Sequence, residues 1–229
     1  MDKVTIIIPV KDEESGLEYL VENFSDSKIE QEFHINFIFV IDERTSDNSR
    51  EIAKKLSNRI IDQKGSHGKG DAMRQALSHW KHGESDFVVF LDADGSYSFH
   101  AVRDLIIALR AGSDIVSGSR FLKQRRKPEG MSGLHNFGNR ALSLVSSVRN
   151  GRKISDLCTG IWGFRAEAIS QFSIHSKGFD LEAELAGRAR KLKLNHTEIS
   201  VDWSQRKGGT SKLRSIRDGL IIFFRILLT

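Results

Sequence analysis

One cysteine and two prolines are all that the 229 residues contain of either type. The lone Cys158 excludes an internal disulfide framework and a cysteine-rich zinc site, and it favours a reducing compartment. Pro9 and Pro128 form no proline-rich linker, and no internal repeat or low-complexity segment divides the chain. No run of about 18 apolar residues occurs, so no segment reads as spanning a bilayer. The nearest candidate, Gly219 to Thr229, is short and interrupted by Arg225. The opening stretch, Met1 to Glu14, has a brief apolar run, then acids, and no small-residue cleavage site. It reads as a first β-strand rather than a signal peptide.

What is present suffices for a folded domain. Hydrophobic residues make up 39% of the chain and include all three aromatic types, enough to bury a core. The length fits one large domain or two small ones. Net charge is a mild +5, but the halves differ. Residues 1–114 carry 14 basic and 21 acidic side chains, net −7, whereas residues 115–229 carry 21 basic and 9 acidic, net +12. A basic half points to nucleic acid, anionic lipid or phosphate esters as partners. Chance patterning on two solvated faces is the plain alternative.

Apolar runs alternate with helical patterns through the first half. The expected strands are Val4–Val10, Asn36–Ile41, Arg59–Asp62, Phe87–Leu91 and Ile115–Ser117. The expected helices are Glu14–Phe24, Ser46–Leu56 with Ser46 as N-cap, a stretch from Ala72 to Trp80, and Ala101–Arg110. Continuous apolar strands between helices predict a parallel α/β sheet covered on both faces. In the second half, residues 120–127 hold five basic side chains and form a loop. Helices are expected over Leu134–Val148, Asp180–Leu192 and Ile216–Leu228, a strand over Thr197–Trp203, and a Gly-rich basic loop over Lys207–Lys212.

The sharpest motif is Asp92-Ala93-Asp94, directly after the apolar strand ending at Leu91. Ligands of parallel α/β sheets bind beyond the carboxyl ends of the strands. Two acids at i and i+2 of an extended segment point to one side. Such a pair suits a hard divalent cation whose remaining positions are filled by water and phosphate oxygens. A solvated turn at Gly95 is the simpler reading. Asp42 and the set Asp12-Glu13-Glu14 follow two other strands, so three strand ends bring carboxylates to one edge that suits a nucleotide. A helix-start role is open for each. Gly65 to Gly70 precedes a helix and offers backbone N–H groups and Lys69 to phosphates, or is a plain helix entry. It is not a P-loop, because Gly70 stands where Ser or Thr is required.

Seven segments then fall in the order of a known family: Val4–Glu13, the strand ending in Asp42, His67–Ala72, Asp92–Asp94, Gly118-Ser119-Arg120, Asp156–Gly160 with Phe164, and Arg206–Lys212. Together they resemble family 2 glycosyltransferases of the GT-A fold, specifically the polyprenyl-phosphate sugar synthases that make dolichyl-phosphate mannose and glucose. The resemblance implies a Rossmann-like α/β domain over 1–229, a mostly parallel sheet flanked by helices with a basic C-terminal acceptor region. Residues 1–117 would bind the nucleotide sugar and 118–229 the acceptor. It implies that Pro9, Glu13 and Asp42 hold the nucleoside, and that Asp92 and Asp94 bind Mg²⁺ or Mn²⁺ and the donor diphosphate. Arg120, Arg206, Ser211 and Lys212 fall where the family engages acceptor phosphate, and Asp156 and Glu184 where it places acids around the sugar. There are departures. Lys11 replaces an aromatic residue, Gly95-Ser96 replaces the Leu-Gln of mannose synthases, and His135 stands where those often carry Arg. The second departure leans towards a UDP-linked donor of the glucose type, with GDP-mannose as the other option.

The expected chemistry is displacement at the sugar C1 by an already ionised lipid phosphate, positioned by Arg120, Arg206 and Lys212. A divalent ion on Asp94 and Asp92 would neutralise the leaving diphosphate. If a sugar hydroxyl attacked instead, a base would be required, and Asp156 is the first candidate. The helix Ile216–Leu228, with Arg214, Arg217 and Arg225, suits the cytoplasmic face of a membrane as a peripheral anchor, or packs on the core or in a dimer. A nucleic-acid-binding module has no supporting signature, so no nucleic-acid partner is expected.

Overall fold

The apolar run that begins at Val4 and its two counterparts, within 36–41 and 87–91, lie side by side at the centre of one sheet. The computed structural model describes residues 1–57, 59–123, 128–208 and 215–229. Along the chain run β1 (Lys3–Val10), α1 (Glu14–Ser27), β2 (His34–Asp42), α2 (Ser49–Ala53), β3 (Ile60–Gln63), α3 (Lys69–His79), β4 (Phe87–Leu91) and α4 (Phe99–Arg110). They are followed by β5 (Ile115–Ser119), α5 (Gly133–Asn150), β6 (Ile161–Arg165), α6 (Ala166–Ile169), α7 (Leu181–Lys191), β7 (His196–Ser200) and α8 (Ser215–Leu228). Among the described residues the strands form one seven-stranded sheet in the order β3-β2-β1-β4-β6-β5-β7. β6 runs antiparallel to both its neighbours, and every other pairing is parallel.

The pleat explains why the central strands read as unbroken apolar runs. Val4, Ile6 and Ile8 point into a core shared with α1 and α4, and Ile7 points into a second core under α3 and α7. The same alternation puts Phe87, Val89 and Leu91 on the first face and Val88 and Phe90 on the second. Strands buried on both faces gain from apolar residues at every position.

Three expectations differ from the structure. The expected helix over 46–56 is confined to Ser49–Ala53, and Ser46 does not cap it. The Ser46 N–H and hydroxyl instead donate to Asp12 Oδ1, at 2.8 and 3.3 Å. The last strand spans 196–200 rather than 197–203, because its partner among the described residues, β5, ends at Ser119. β6 was not expected: two glycines, Gly160 and Gly163, in and beside a five-residue strand leave a weak pattern.

His196, at the start of β7, is buried, with Nε2 2.9 Å from the Ser117 hydroxyl and its ring 5.1 Å from that of Trp162. Burial, helped by the charge of Arg152, pushes its pKa down to about 3. The unfolded chain takes up a proton near pH 6.5, which the folded protein refuses until about pH 3. Stability contributed by neutral His196 is therefore complete above about pH 6.5 and is lost as pH falls below it. Between pH 7.5 and pH 5 the loss is about 2 kcal/mol. Urea unfolding at pH 7.5 and pH 5 should show this difference in the wild type and lose most of it in His196→Gln. An undiminished difference in the variant would assign it elsewhere.

Candidate active site

Because β2, β1 and β4 are adjacent and parallel, their carboxyl ends open on one edge, and each end carries acids. Pro9 lies one residue from the end of β1, opposite Val40. After β1, Glu14 accepts from the Asn48 side chain, and the Glu13 N–H donates to the Ser49 hydroxyl. The first acidic set is thus braced against the 46–49 turn. Asp42, at the end of β2, is almost fully buried. It accepts the Arg44 N–H at 2.9 Å and its guanidinium at 2.8 and 2.6 Å. These bonds, the guanidinium's first, hold its pKa at about 2, so it is ionised at neutral pH.

The Asp92–Asp94 segment is not extended as expected. The Asp92 N–H donates to the Gly160 carbonyl (3.0 Å), and the chain then turns. Asp94 Oδ1 accepts the Ser96 N–H at 3.0 Å, and Gly95 adopts φ +73°, a conformation that favours glycine. The two acids remain close enough for the charge of Asp94 to help raise the pKa of Asp92, after burial, while Lys69 opposes the shift. Asp94 is half-buried and meets no cation among the described residues. That leaves carboxylate oxygen for a hard ion. No group of three or more potential ligands is assembled among the described residues. Asp94, with Asp92 beside it, would fit a hard divalent ion held by one or two carboxylates and completed by water and substrate oxygens.

Lys69 opens α3 but turns inward. Its ammonium lies 2.6 Å from Asp92 Oδ1 and 2.6 Å from Glu182 Oε1. The glycine-rich entry does not present its next N–H groups to a ligand: Gly70 and Asp71 donate to the carbonyls of Gly178 and Lys177. Of the segment Gly65 to Gly70, the last N–H is thus spent inside the fold, as in a plain helix entry. Glu182 is the site acid that sequence reasoning missed in favour of Glu184. Glu184 accepts from the N–H groups of His175 and Ser176 and from Arg188, and braces the turn before α7. Residues two apart on a helix face opposite ways, so only one of the two acids can reach the strand edge.

Arg120 and Asp156 form a closed pair. The guanidinium meets both Asp156 oxygens, at 2.6 and 2.7 Å, and the Arg120 N–H adds a third bond. Asn139 supplies a fourth, and Arg120 also donates to the Cys158 carbonyl. Asp156 is 0% exposed and both its oxygens are engaged, which corrects its reading as a base for a hydroxyl acceptor. Arg120 is held near the rings of Phe121 and Trp203, with two of its three nitrogens occupied.

The segment 204–208 is tied to the Asp92–Asp94 turn. The N–H groups of Ser204 and Lys207 donate to the carbonyls of Ser96 and Asp94, at 3.1 and 3.0 Å. Arg206 reaches both Glu13 oxygens at 2.8 Å, and the Lys207 ammonium stands 4.4 Å over the Tyr19 ring. Ser211 and Lys212, like residues 125–127 of the basic loop, lie outside the described residues.

An open, mostly parallel sheet with carboxylates at three adjacent strand ends is compatible with the GT-A fold, and the comparisons with known proteins supply the class. The chain belongs to glycosyl transferase family 2, whose model matches residues 5–172. Glycosyltransferase AglJ of Haloferax volcanii is 29% identical over 226 residues, covering 98% of this chain and 71% of the relative. Dolichol-phosphate mannosyltransferase of Pyrococcus furiosus is 25% identical, covering 93% of this chain and 59% of its own length. UDP-N-acetylglucosamine–dolichyl-phosphate N-acetylglucosaminyltransferase of Methanococcus voltae is 24% identical, covering 98% and 95%. Among solved structures, glucosyl-3-phosphoglycerate synthase from Mycobacterium tuberculosis, in complex with Mn²⁺, UDP and phosphoglyceric acid, superposes with a TM-score of 0.72. Its identity is 15%, over 99% of this chain and 76% of that one. The expected GT-A fold, the enzyme class and the likeness to polyprenyl-phosphate sugar synthases are borne out.

Proposed function

We propose that this chain moves a sugar from a nucleotide diphosphate donor to a polyprenyl phosphate, with inversion at C1. The hydrogen bond from the Lys207 N–H to the Asp94 carbonyl carries this reading, because it sets a basic segment against the acidic turn. Residues 1–117 would hold the donor, with Glu13, Asp42 and Pro9 assigned to the nucleoside and Asp92 and Asp94 to Mg²⁺ or Mn²⁺. Such an ion supplies electrostatic stabilisation of the departing diphosphate. Residues 118–229 handle the acceptor, with Arg206 and the segment towards Ser211 and Lys212 as its counter-charges. A phosphate monoester is anionic at neutral pH and attacks without a base. A hydroxyl acceptor would need one, and the enclosed Asp156 cannot serve. A UDP-linked donor is favoured, since Gly95-Ser96 departs from the mannose-synthase pattern and two relatives carry UDP in their names or complexes.

The acceptor lipid requires a membrane surface. α8 buries Ile222 and Ile226 against the core and packs beside α5. Its other side exposes Leu220, Phe224 and Leu228, and α5 adds Phe137 and Val148. Among the described residues no helix is long and apolar enough to cross a membrane. This face suits peripheral contact with basic side chains, such as Arg217, near anionic headgroups. Phe224→Glu combined with Leu228→Glu should weaken co-sedimentation with phosphatidylglycerol vesicles by about ten-fold or more. The melting temperature should hold, since Phe224 is 58% and Leu228 78% exposed. Unaltered vesicle binding would remove this face from the membrane.

The whole reading is tested by incubating the protein with Mn²⁺, polyprenyl phosphate, and labelled UDP-glucose, UDP-N-acetylglucosamine or GDP-mannose. Label should pass into the organic phase as an acid-labile lipid phosphate ester. Label on a hydroxyl acceptor alone would overturn the acceptor assignment. No thermal stabilisation by UDP or GDP with Mn²⁺ would overturn the donor assignment.

A further inference from the structure

One ammonium lies between two carboxylates in the middle of the site, and the inner one is Glu182. We infer that Glu182 is a positioning residue for Asp92, acting through Lys69. It keeps the shared ammonium from neutralising Asp92, so that the carboxylate retains charge for the divalent ion of the donor complex. This inference rests on the proposed donor chemistry.

The carboxylate of Asp92 is boxed. Oδ1 meets Lys69 Nζ at 2.6 Å, and Oδ2 lies where a Cβ on Gly160 would fall, at 2.0 Å. Lys69 is equally confined, with its side chain 11% exposed and Glu182 8%. The Gly70 and Asp71 N–H groups bind the 177–178 carbonyls, which staples the start of α3 to the turn entering α7 and sets the separation of Lys69 and Glu182. A Cβ on Gly70 would meet the Ser176 carbonyl at 2.5 Å, so the staple depends on glycine. Ordinary core packing does not call for this arrangement, because a single Lys–Asp pair would already be neutral. Two carboxylates on one ammonium leave a net negative charge, and Asp92 is the more exposed of the two, at 30%. If Glu182 becomes neutral, the ammonium turns wholly to Asp92, and a divalent ion meets a cancelled charge.

The test uses Mn²⁺ and UDP as probes, with free Mn²⁺ followed by electron paramagnetic resonance. Glu182→Gln should bind Mn²⁺ in the presence of UDP about ten-fold more weakly than wild type, the lower end of what removing a ligand's supporting partner does. The double variant Lys69→Met, Glu182→Leu should regain most of that affinity, because Asp92 recovers its charge. It should also fold well, since an apolar pair replaces a buried ionic one. The melting temperature of the double variant should stay close to wild type, which a merely structural role would not allow. Wild-type affinity in Glu182→Gln, or a double variant as weak as the single, would overturn the inference. Sugar transfer to polyprenyl phosphate with a flat Mn²⁺ series would sink this role and leave the function standing. The expected series without transfer would do the reverse, and a wild type that binds no Mn²⁺ with UDP would overturn both.

Discussion

Replacing Asp94 with alanine lowers the rate of sugar transfer by about 10²–10³-fold, the usual result of deleting one preorganised group that stabilises developing charge. The folded state should hardly notice. Asp94 is half-buried, and its side chain accepts one bond, from the Ser96 N–H, at a turn that water can reach. Its carbonyl, which receives the Lys207 N–H, is untouched by the substitution. The expected change in stability is therefore within about 1 kcal/mol. Single-turnover transfer from a UDP-sugar, measured beside a thermal melt, separates the two effects. A variant with wild-type turnover would remove Asp94 from the chemistry. One that melts early would make it structural.

The largest effect on stability is expected at Asp156. Asp156→Asn leaves the Arg120 guanidinium 11% exposed and without its counter-charge. Breaking a buried pair on one side destabilises by about 3–5 kcal/mol. For a chain of this size that lowers the melting temperature by roughly 10 °C. Arg120→Met together with Asp156→Leu should be less destabilised than either single change, because no uncompensated charge remains. Urea unfolding of the four proteins checks the pattern. Additive losses would show that the pair contributes through packing rather than charge.

Legibility followed burial on both faces. β4 was readable to the residue, since every position from Phe87 to Leu91 is inside. The acids at the ends of β1, β2 and β4 were readable as one edge, because parallel order follows from strand–helix alternation. β6 was not, because an antiparallel strand between two parallel ones is set by the chain's route and not by its own five residues. Asp156 and Glu184 were read as pocket acids from their place in a family pattern, yet both are enclosed by donors. Glu182 carries no local mark. Only the stapling of α3 to the turn before α7 brings it to Lys69.

The reversed direction of β6 has a further consequence. Since β5 and β6 are antiparallel neighbours, with Ser117 paired to Trp162, the chain leaves the sheet after Ser119 and re-enters at Ile161 on the same edge. Residues 120–160 are thus one long excursion from a hairpin. Its base is latched by the Ser119–Ser155 hydroxyl contact at 2.7 Å and by Arg120 on Asp156. Lengthening such a loop raises its closure entropy only slowly, and the latch isolates its interior from the strand register. Its length can change at little cost to the sheet so long as α5 keeps its packing on α7 and α8 and the end of the excursion keeps the Asp156 latch and the Gly160 carbonyl that receives the Asp92 N–H.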